Sequence, residues 1–479
     1  MSIALQRTKS RALKTIGMLY CGRKQLFGLH LLFFRPFFTY YVTSVQILVC
    51  LASIFFHGFG PIGIDHRERT ASVLHTSVVL RQVSIYELEN IWLGPKFSDL
   101  VHLGAKYAPC MRRDHQIYAE IEKERKAESQ TGCCIFNDGI GCFQASENEC
   151  PSFIATLVKW SKKTKGPLGR TSGAVCGQDP NYCDEPLSAP PSAWPDDISE
   201  WPMCRRRSHH IVPENERHLH CEITGHPCCI LLHGQCRITT REYCDFVQGF
   251  YHANATLCSQ VSCLSEVCGM LPFLRRDHPD QIYRLFLSLF LHAGLLHCFL
   301  TFLVHWFYMR DLEKLIGWSR MAVLYMGSGI GGNLVSAILM PYQPEVGPSG
   351  SLFGIFSFLP VILVEFRRII AKPWGALRDL ILFTLVLFLI GTLPWIDNWA
   401  HIFGFIFGLL ISLGTCHTYS SCVCIYGPSH LNPTASQVKW EVLGLFCNLK
   451  MYTTFINIRS IKRWSENTSY NLQNNELLV

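Results

Sequence analysis

The chain has 479 residues, of which 49% are hydrophobic and only 16% charged. So apolar a balance excludes an ordinary soluble protein. A formal charge of +7 does not point to nucleic acid, because the basic residues are scattered between apolar spans and form no basic patch.

Residues 1–37 carry Arg7, Lys9, Arg11, Lys14, Arg23, Lys24 and Arg35 and no acid. They are predicted to be a short cytosolic tail. The apolar stretch 38–57 is long enough to cross a bilayer and too far from the start to be a cleaved signal peptide. Basic flanks stay in the cytosol, so the segment that follows, 58–280, is expected on the lumenal side.

That segment holds 16 of the 23 cysteines, all between Cys110 and Cys268. A dense, even count outside the membrane predicts a disulfide framework in an oxidising compartment. The adjacent pairs Cys133-Cys134 and Cys228-Cys229 lack the C-x-x-C spacing of zinc modules, so no metal is expected. The sequence leaves the pairing among these cysteines open. Asn254-Ala255-Thr256 is a glycosylation sequon that suits a lumenal face. The basic run Arg205-Arg206-Arg207 and the histidines from His209 to His233 read as solvated loop residues.

A dense apolar block follows, read as spans 285–309, 321–340, 349–364, 377–393 and 399–415. Lys and Arg lie in the connections 310–320 and 365–376, and none lies in 341–348 or 394–398. This alternation fits six spans with the N-terminus inside. Residues 416–479 are expected to be a tail without a convincing seventh helix, since the apolar run from Trp440 to Cys447 is too short to cross.

Polar residues within the spans carry the chemistry. Ser349 opens the fourth span in Gly347-Pro348-Ser349-Gly350, and His401 opens the sixth. A serine becomes a nucleophile when an imidazole takes its proton, and the transition state then needs donors for an oxyanion. His292 and His297 lie near the start of span two and suit the same cavity. Gly404 and Gly408 form G-x-x-x-G, a close-packing motif for span six against span four. The plainer alternative for Ser349 is helix packing, since small residues serve that purpose too.

These residues resemble the rhomboid family of intramembrane serine proteases. The family's G-x-S-G and H-x-x-G motifs correspond here to Gly347 to Gly350 and His401 to Gly404. Its H-A-G-x-x-H element corresponds to His292 to His297, and its loop Trp-Arg pair to Tyr283-Arg284. Thr301 stands where active members carry an Asn that helps hold the oxyanion. Pro348, directly before the serine, resembles the inactive branch, the iRhoms. Further iRhom-like runs are Trp92 to Lys96, Leu103 to Lys106, Cys176 to Pro180, Trp194 to Ile198, Arg241 to Asp245, Arg310 to Lys314 and Leu393 to Asn398. The likeness covers roughly 35–414. It does not extend to the long cytosolic tail and seventh helix that family members generally have.

The resemblance implies an α-helical polytopic membrane protein. A rhomboid-like core of helices two to six (281–415) would carry a cysteine-rich domain, 58–280, between helices one and two. It also implies a pseudoprotease of the endoplasmic reticulum membrane, extending to Golgi and plasma membrane, with Ser349 and His401 as a vestigial dyad and no cofactor. Implied partners are the bilayer and single-pass clients: an ADAM-family metalloprotease and precursors of EGF-like ligands. The oligomeric state is left open. The alternative is an active protease with Ser349 as nucleophile and His401 as base; a third reading is a receptor ectodomain on a passive anchor.

Overall fold

The computed structural model describes residues 35–425, apart from 77–78, 188–193, 209–212, 215, 231, 366, 368–372 and 394–395. The readings of the N-terminal basic residues before 35 and of the tail beyond 425 lie outside them. The chain forms two compact units. Of the described residues, one comprises 35–50, 296–339 and 347–425, and the other comprises 51–295 and 340–346.

Helix α1 (Phe37–His57) is predominantly apolar. The cysteine-rich unit follows as short antiparallel sheets. β1 (His66–Thr76) and β2 (Val79–Leu88) form a two-stranded ribbon. Helix α2 (His115–Glu128) starts at Asp114, whose carboxylate accepts from the backbone N–H of Gln116 and Ile117. β3 (Gly132–Phe136) pairs with β4 (Cys142–Ala145) and β5 (Ala155–Val158). β6 (Cys183–Pro186) pairs with β7 (Cys204–Arg207), and β8 (His226–Ile230) lies between β9 (Gln235–Thr239) and β10 (Phe250–Tyr251).

Small buried apolar clusters among the described residues of this unit are stapled by eight disulfides. The adjacent cysteines are explained by the pleat. Successive side chains on a strand point to opposite faces, so Cys133 bonds Cys176 on one side of β3 while Cys134 bonds Cys150 on the other. On β8, Cys228 bonds Cys244 and Cys229 bonds Cys263 in the same way. The four sulfurs of Cys133, Cys176, Cys142 and Cys221 lie within 4.8 Å of one another. They are consumed in two neighbouring disulfides, and zinc is held by thiolates, which a disulfide does not offer.

The other unit is helical: α3 (Leu295–Val304), a π-turn (His305–Met309), α4 (Arg310–Ile316), α5 (Trp318–Leu339), α6 (Ser349–Glu365), α7 (Pro373–Ile390) and α8 (Asn398–Ile425). Helices α1, α5 and α7 are each long and apolar enough to cross a membrane, and α6 and the first part of α8 are shorter apolar helices. Its core gathers Met309, Leu312, Met321, Tyr325, Phe358 and Leu359.

Two boundaries differ most from those read in the sequence. The second span was expected to start at 285, but residues 288–294 form no helix. The backbone of Gly294 abuts that of Trp92 and Leu93 so closely that any side chain there would collide. An apolar run buried in this way satisfies hydropathy without being helical. Helix α8 also continues to Ile425, past the expected 415. The polar residues after Gly414 lower hydropathy, but none is a helix breaker.

Candidate functional site

One polar stripe fixes α1 in the helical unit. Thr39, Thr43, Gln46 and Cys50 recur at the spacing of one helix face. The Glu313 carboxylate accepts from Phe38 N (2.9 Å), Thr39 N (2.7 Å) and Thr39 Oγ1 (2.6 Å), satisfying the open N–H groups of the helix start. Thr43 Oγ1 lies 2.8 Å from His305 Nδ1, and Gln46 Nε2 donates to the Tyr325 hydroxyl at 2.8 Å.

The serine motif is built at the start of α6. Gly347 has φ +109°, a backbone region that favours glycine, and a Cβ there would strike the imidazole of His297. Pro348 precedes the first helical residue and its carbonyl accepts from Leu352 N at 2.9 Å. At that position its missing N–H costs no helical bond. Ser349 is half-buried. Ser351 and Ser357 in the same helix donate to the Tyr325 and Gly354 carbonyls, at 2.7 Å each.

Helix α8 lies against α6 through glycine. A Cβ on Gly404 would collide with the Gly350 backbone, and one on Gly408 with Gly354. The start of α8 is capped by Asp397, which accepts from Trp399 N (2.9 Å) and Ala400 N (3.2 Å) and from the Ser336 hydroxyl. Four residues on, His401 is buried. Its ring lies flat on Phe353, 4.3 Å between centroids and 16° between planes. Its Nδ1 finds no hydrogen-bond partner. Among the described residues no hydrogen bond joins Ser349 to His401.

The helical unit therefore brings together His297, Gly347, Pro348, Ser349, Gly350, His401, Gly404 and Gly408. Thr301 belongs to it as well, buried in α3 one turn after His297, with its hydroxyl unbonded. Tyr283, Arg284, His292 and Asn254 belong to the cysteine-rich unit. Arg284 is fully buried there. It donates to Gln281 Oε1 (2.7 Å), the Val101 carbonyl (2.7 Å), the Ala105 carbonyl (2.9 Å) and the Cys268 carbonyl. Burial pulls its guanidinium down to about 10, where it still holds its charge at neutral pH. It clamps the end of the short helix Phe97–His102 and the turn after it, beside the Cys110–Cys268 disulfide. Asn254 is exposed and Thr256 of its sequon is buried.

Two features escaped the sequence reading. Phe353 lies one helical turn after Ser349, and that spacing alone marks it as a neighbour of the site. Lys106 is fully buried and bonds Glu345 at 3.1 Å, while the two residues exchange backbone hydrogen bonds of 2.8 and 2.9 Å. The segment 340–346, directly before the serine motif, thus belongs to the cysteine-rich unit.

The helices, the serine motif at the head of α6 and the histidine at the head of α8 define a rhomboid-type membrane protein with a cysteine-rich, disulfide-bonded extramembrane loop. Residues 279–418 match the rhomboid domain. The chain is 49% identical over 385 residues to inactive rhomboid protein 1 of Danio rerio, covering 79% of this chain and 44% of that protein. It is 50% identical over 384 residues to inactive rhomboid protein 1 of Homo sapiens, covering 79% and 45%. It is 48% identical over 387 residues to human inactive rhomboid protein 2, again covering 79% and 45%. This homology assigns the chain to the inactive-rhomboid, or iRhom, branch. The chain spans less than half the length of these curated relatives.

Proposed function

We propose that this chain is a catalytically inactive rhomboid that binds single-pass membrane clients in the secretory pathway. The observation that supports the inactive reading is the 48–50% identity to inactive rhomboid proteins 1 and 2, and among the described residues no hydrogen bond joins His401 to Ser349. A general base must reach the proton it removes. Pro348 and Thr301 stand at the two positions where the serine loop and the oxyanion donor would be tuned. Ser349 and His401 then persist as a vestigial dyad.

The same reading includes six membrane helices with the N-terminus cytosolic, the domain limits 58–280 and 281–415, and a lumenal, glycosylated cysteine-rich domain bearing its sugar on Asn254. Its home is the endoplasmic reticulum membrane, with passage to Golgi and plasma membrane. The clients are an ADAM-family sheddase, whose maturation and export it controls, and EGF-like ligand precursors, whose secretion or stability it sets. The helical unit recognises client membrane helices, and the disulfide-stapled domain grips their ectodomains.

The test expresses wild type, Ser349→Ala and Pro348→Ala at equal levels with a tagged single-pass substrate. The expected result is no cleavage in any of the three, with the substrate co-purifying equally. Cleavage by wild type that is lost in Ser349→Ala would establish an active protease instead. Export of an ADAM-family client should fail when Cys134 and Cys150 are both replaced by Ser and persist in Ser349→Ala. Normal export by the cysteine variant would remove the ectodomain-gripping role.

A further inference from the structure

Two disulfides of the cysteine-rich unit share one small apolar cluster. Cys133 bonds Cys176 and Cys142 bonds Cys221, and all four sulfurs lie within 4.8 Å of one another. Cys142 pairs in register with Ile135, two residues after Cys133, so both side chains leave the β3–β4 pair on the same face. Backbone atoms hold the four positions independently of sulfur. Cys142 N donates to the Glu222 carbonyl at 2.8 Å, and Thr224 N donates to the Cys142 carbonyl at 2.9 Å. Gly177 N donates to the His218 carbonyl at 2.7 Å, and Cys176 N donates to Gln144 Oε1 at 3.2 Å. Cys133, Cys142 and Cys176 are fully buried, and Cys221 is partly exposed. Among the described residues no other group of three or more cysteine sulfurs converges in this way.

We propose that this cluster is a site of thiol–disulfide exchange, opened at Cys221 by a small thiol and isomerising to the pairing Cys133–Cys142 with Cys176–Cys221. Cys221 is the member of the four that solvent reaches, so an incoming thiolate attacks there. It forms a mixed disulfide on Cys221 Sγ and expels the Cys142 thiolate. A thiolate in apolar surroundings is disfavoured. It therefore attacks Cys133 Sγ, closing Cys133–Cys142 and expelling the Cys176 thiolate. Cys176 then attacks Cys221 Sγ, closing Cys176–Cys221 and returning the small thiol. Three S–S bonds break and three form, with no net gain or loss of electrons, and the thiol acts as a catalyst.

The two pairings hold the unit differently. In the first, each bond ties one strand of the sheet to a segment outside it, β3 to residue 176 and β4 to residue 221. In the second, one bond joins the two strands, which are already hydrogen-bonded neighbours, and the other joins the two outer segments. The exchange thus releases the β3–β4 pair from its covalent ties to those segments without reducing the domain.

The experiment incubates the purified full-length chain with a substoichiometric amount of reduced glutathione and alkylates the remaining thiols. The chain is then digested without reduction at Asp, Glu, Lys and Arg, and linked peptides are mapped by mass spectrometry. The expected result is two new cross-links, Cys133–Cys142 and Cys176–Cys221, rising in equal amounts. Glutathione should be trapped on Cys221 on the way, and the six other disulfides should be unchanged. Cys221→Ser deprives Cys142 of its partner and should exchange with no thiol added, so that alkylation moves from Cys142 to Cys176. The wild-type arm stands alone if that variant does not fold. Failure of glutathione to open Cys142–Cys221, or its opening with Cys133–Cys176 left intact, would overturn the proposal. So would scrambling that spreads to the six other bonds, which would report unfolding and not local exchange.

Discussion

His401 and Phe353 lie face to face, 4.3 Å between ring centroids and 16° apart in plane. The stack fixes the plane of the imidazole, and no hydrogen bond joins it to Ser349, one turn earlier on α6, among the described residues. An aromatic pair of this kind contributes about 0.5–1.5 kcal/mol beyond burial. Freeing the histidine therefore requires little energy. Wild type is expected to show no labelling of Ser349 by a fluorophosphonate probe. Phe353→Leu, which keeps most of the volume, should raise labelling above background, and the further change Pro348→Ala should raise it again. Strong labelling of the wild type, dependent on Ser349, would mean that the stack does not restrain the base.

The α6–α8 contact makes a second prediction. Gly404 touches the Gly350 backbone with no room for a methyl group, whereas Gly414 on the same helix has nothing within 4 Å of a would-be Cβ. Gly404→Ala should destabilise by roughly 1–3 kcal/mol, the usual cost of overpacking. Gly414→Ala should be neutral or stabilise slightly, since alanine is the better helix former by up to about 1 kcal/mol. Thermal unfolding of the two variants in detergent, side by side, decides it. Equal melting temperatures would show that α8 shifts freely to make room.

The apolar helices and the positions of the serine and histidine motifs at their starts were legible because apolar length and small-residue spacing are local properties of a sequence. What escaped depends on contacts distant in the chain. The disulfide partners are separated by 16 residues for Cys134–Cys150 and by 158 for Cys110–Cys268, so spacing offers no rule. The start of the second span was misread because residues 288–294 are apolar for a different reason, burial of a loop against Trp92 and Leu93. Glu313 stood inside the quoted Arg310 to Lys314 run, but its role as the cap of α1 needs a partner 274 residues away. Phe353 alone was within reach of local spacing.

The cysteine-rich unit should weaken in acid. Burial holds the His218 imidazole below its ordinary value, against the opposing pull of the Asp179 carboxylate and with some help from His220. Burial lowers His252 in the same way, opposed by Glu266. The unfolded chain then binds more protons than the folded one once pH falls below the ordinary histidine value of about 6.5. Stability is therefore greatest above that value and declines as pH falls from it toward the depressed folded values. Denaturant unfolding of the wild type should show a lower midpoint at about pH 5.5 than at about pH 7.5, across the ordinary histidine range. His218→Phe should reduce the difference. A variant with an unchanged pH slope would assign the acid sensitivity to other groups.

The position of α1 rests on Glu313, which is fully buried and accepts three hydrogen bonds from Phe38 and Thr39. Within the membrane unit those backbone N–H groups have no water to fall back on. Glu313→Ala should leave them unsatisfied at roughly 1–3 kcal/mol for each buried donor. Glu313→Gln keeps the shape but turns an amide N–H₂ toward donors, so it should recover only part of the loss. Thr39→Val removes the side-chain donor and leaves the backbone donors in place, and should cost less than either. If the carboxylate acts through this cap, the double variant Glu313→Ala with Thr39→Val should be less destabilised than the sum of the singles, by about 0.5–3 kcal/mol of coupling. Strict additivity in thermal unfolding would mean that Glu313 is held for some other reason and that α1 docks by its apolar face alone.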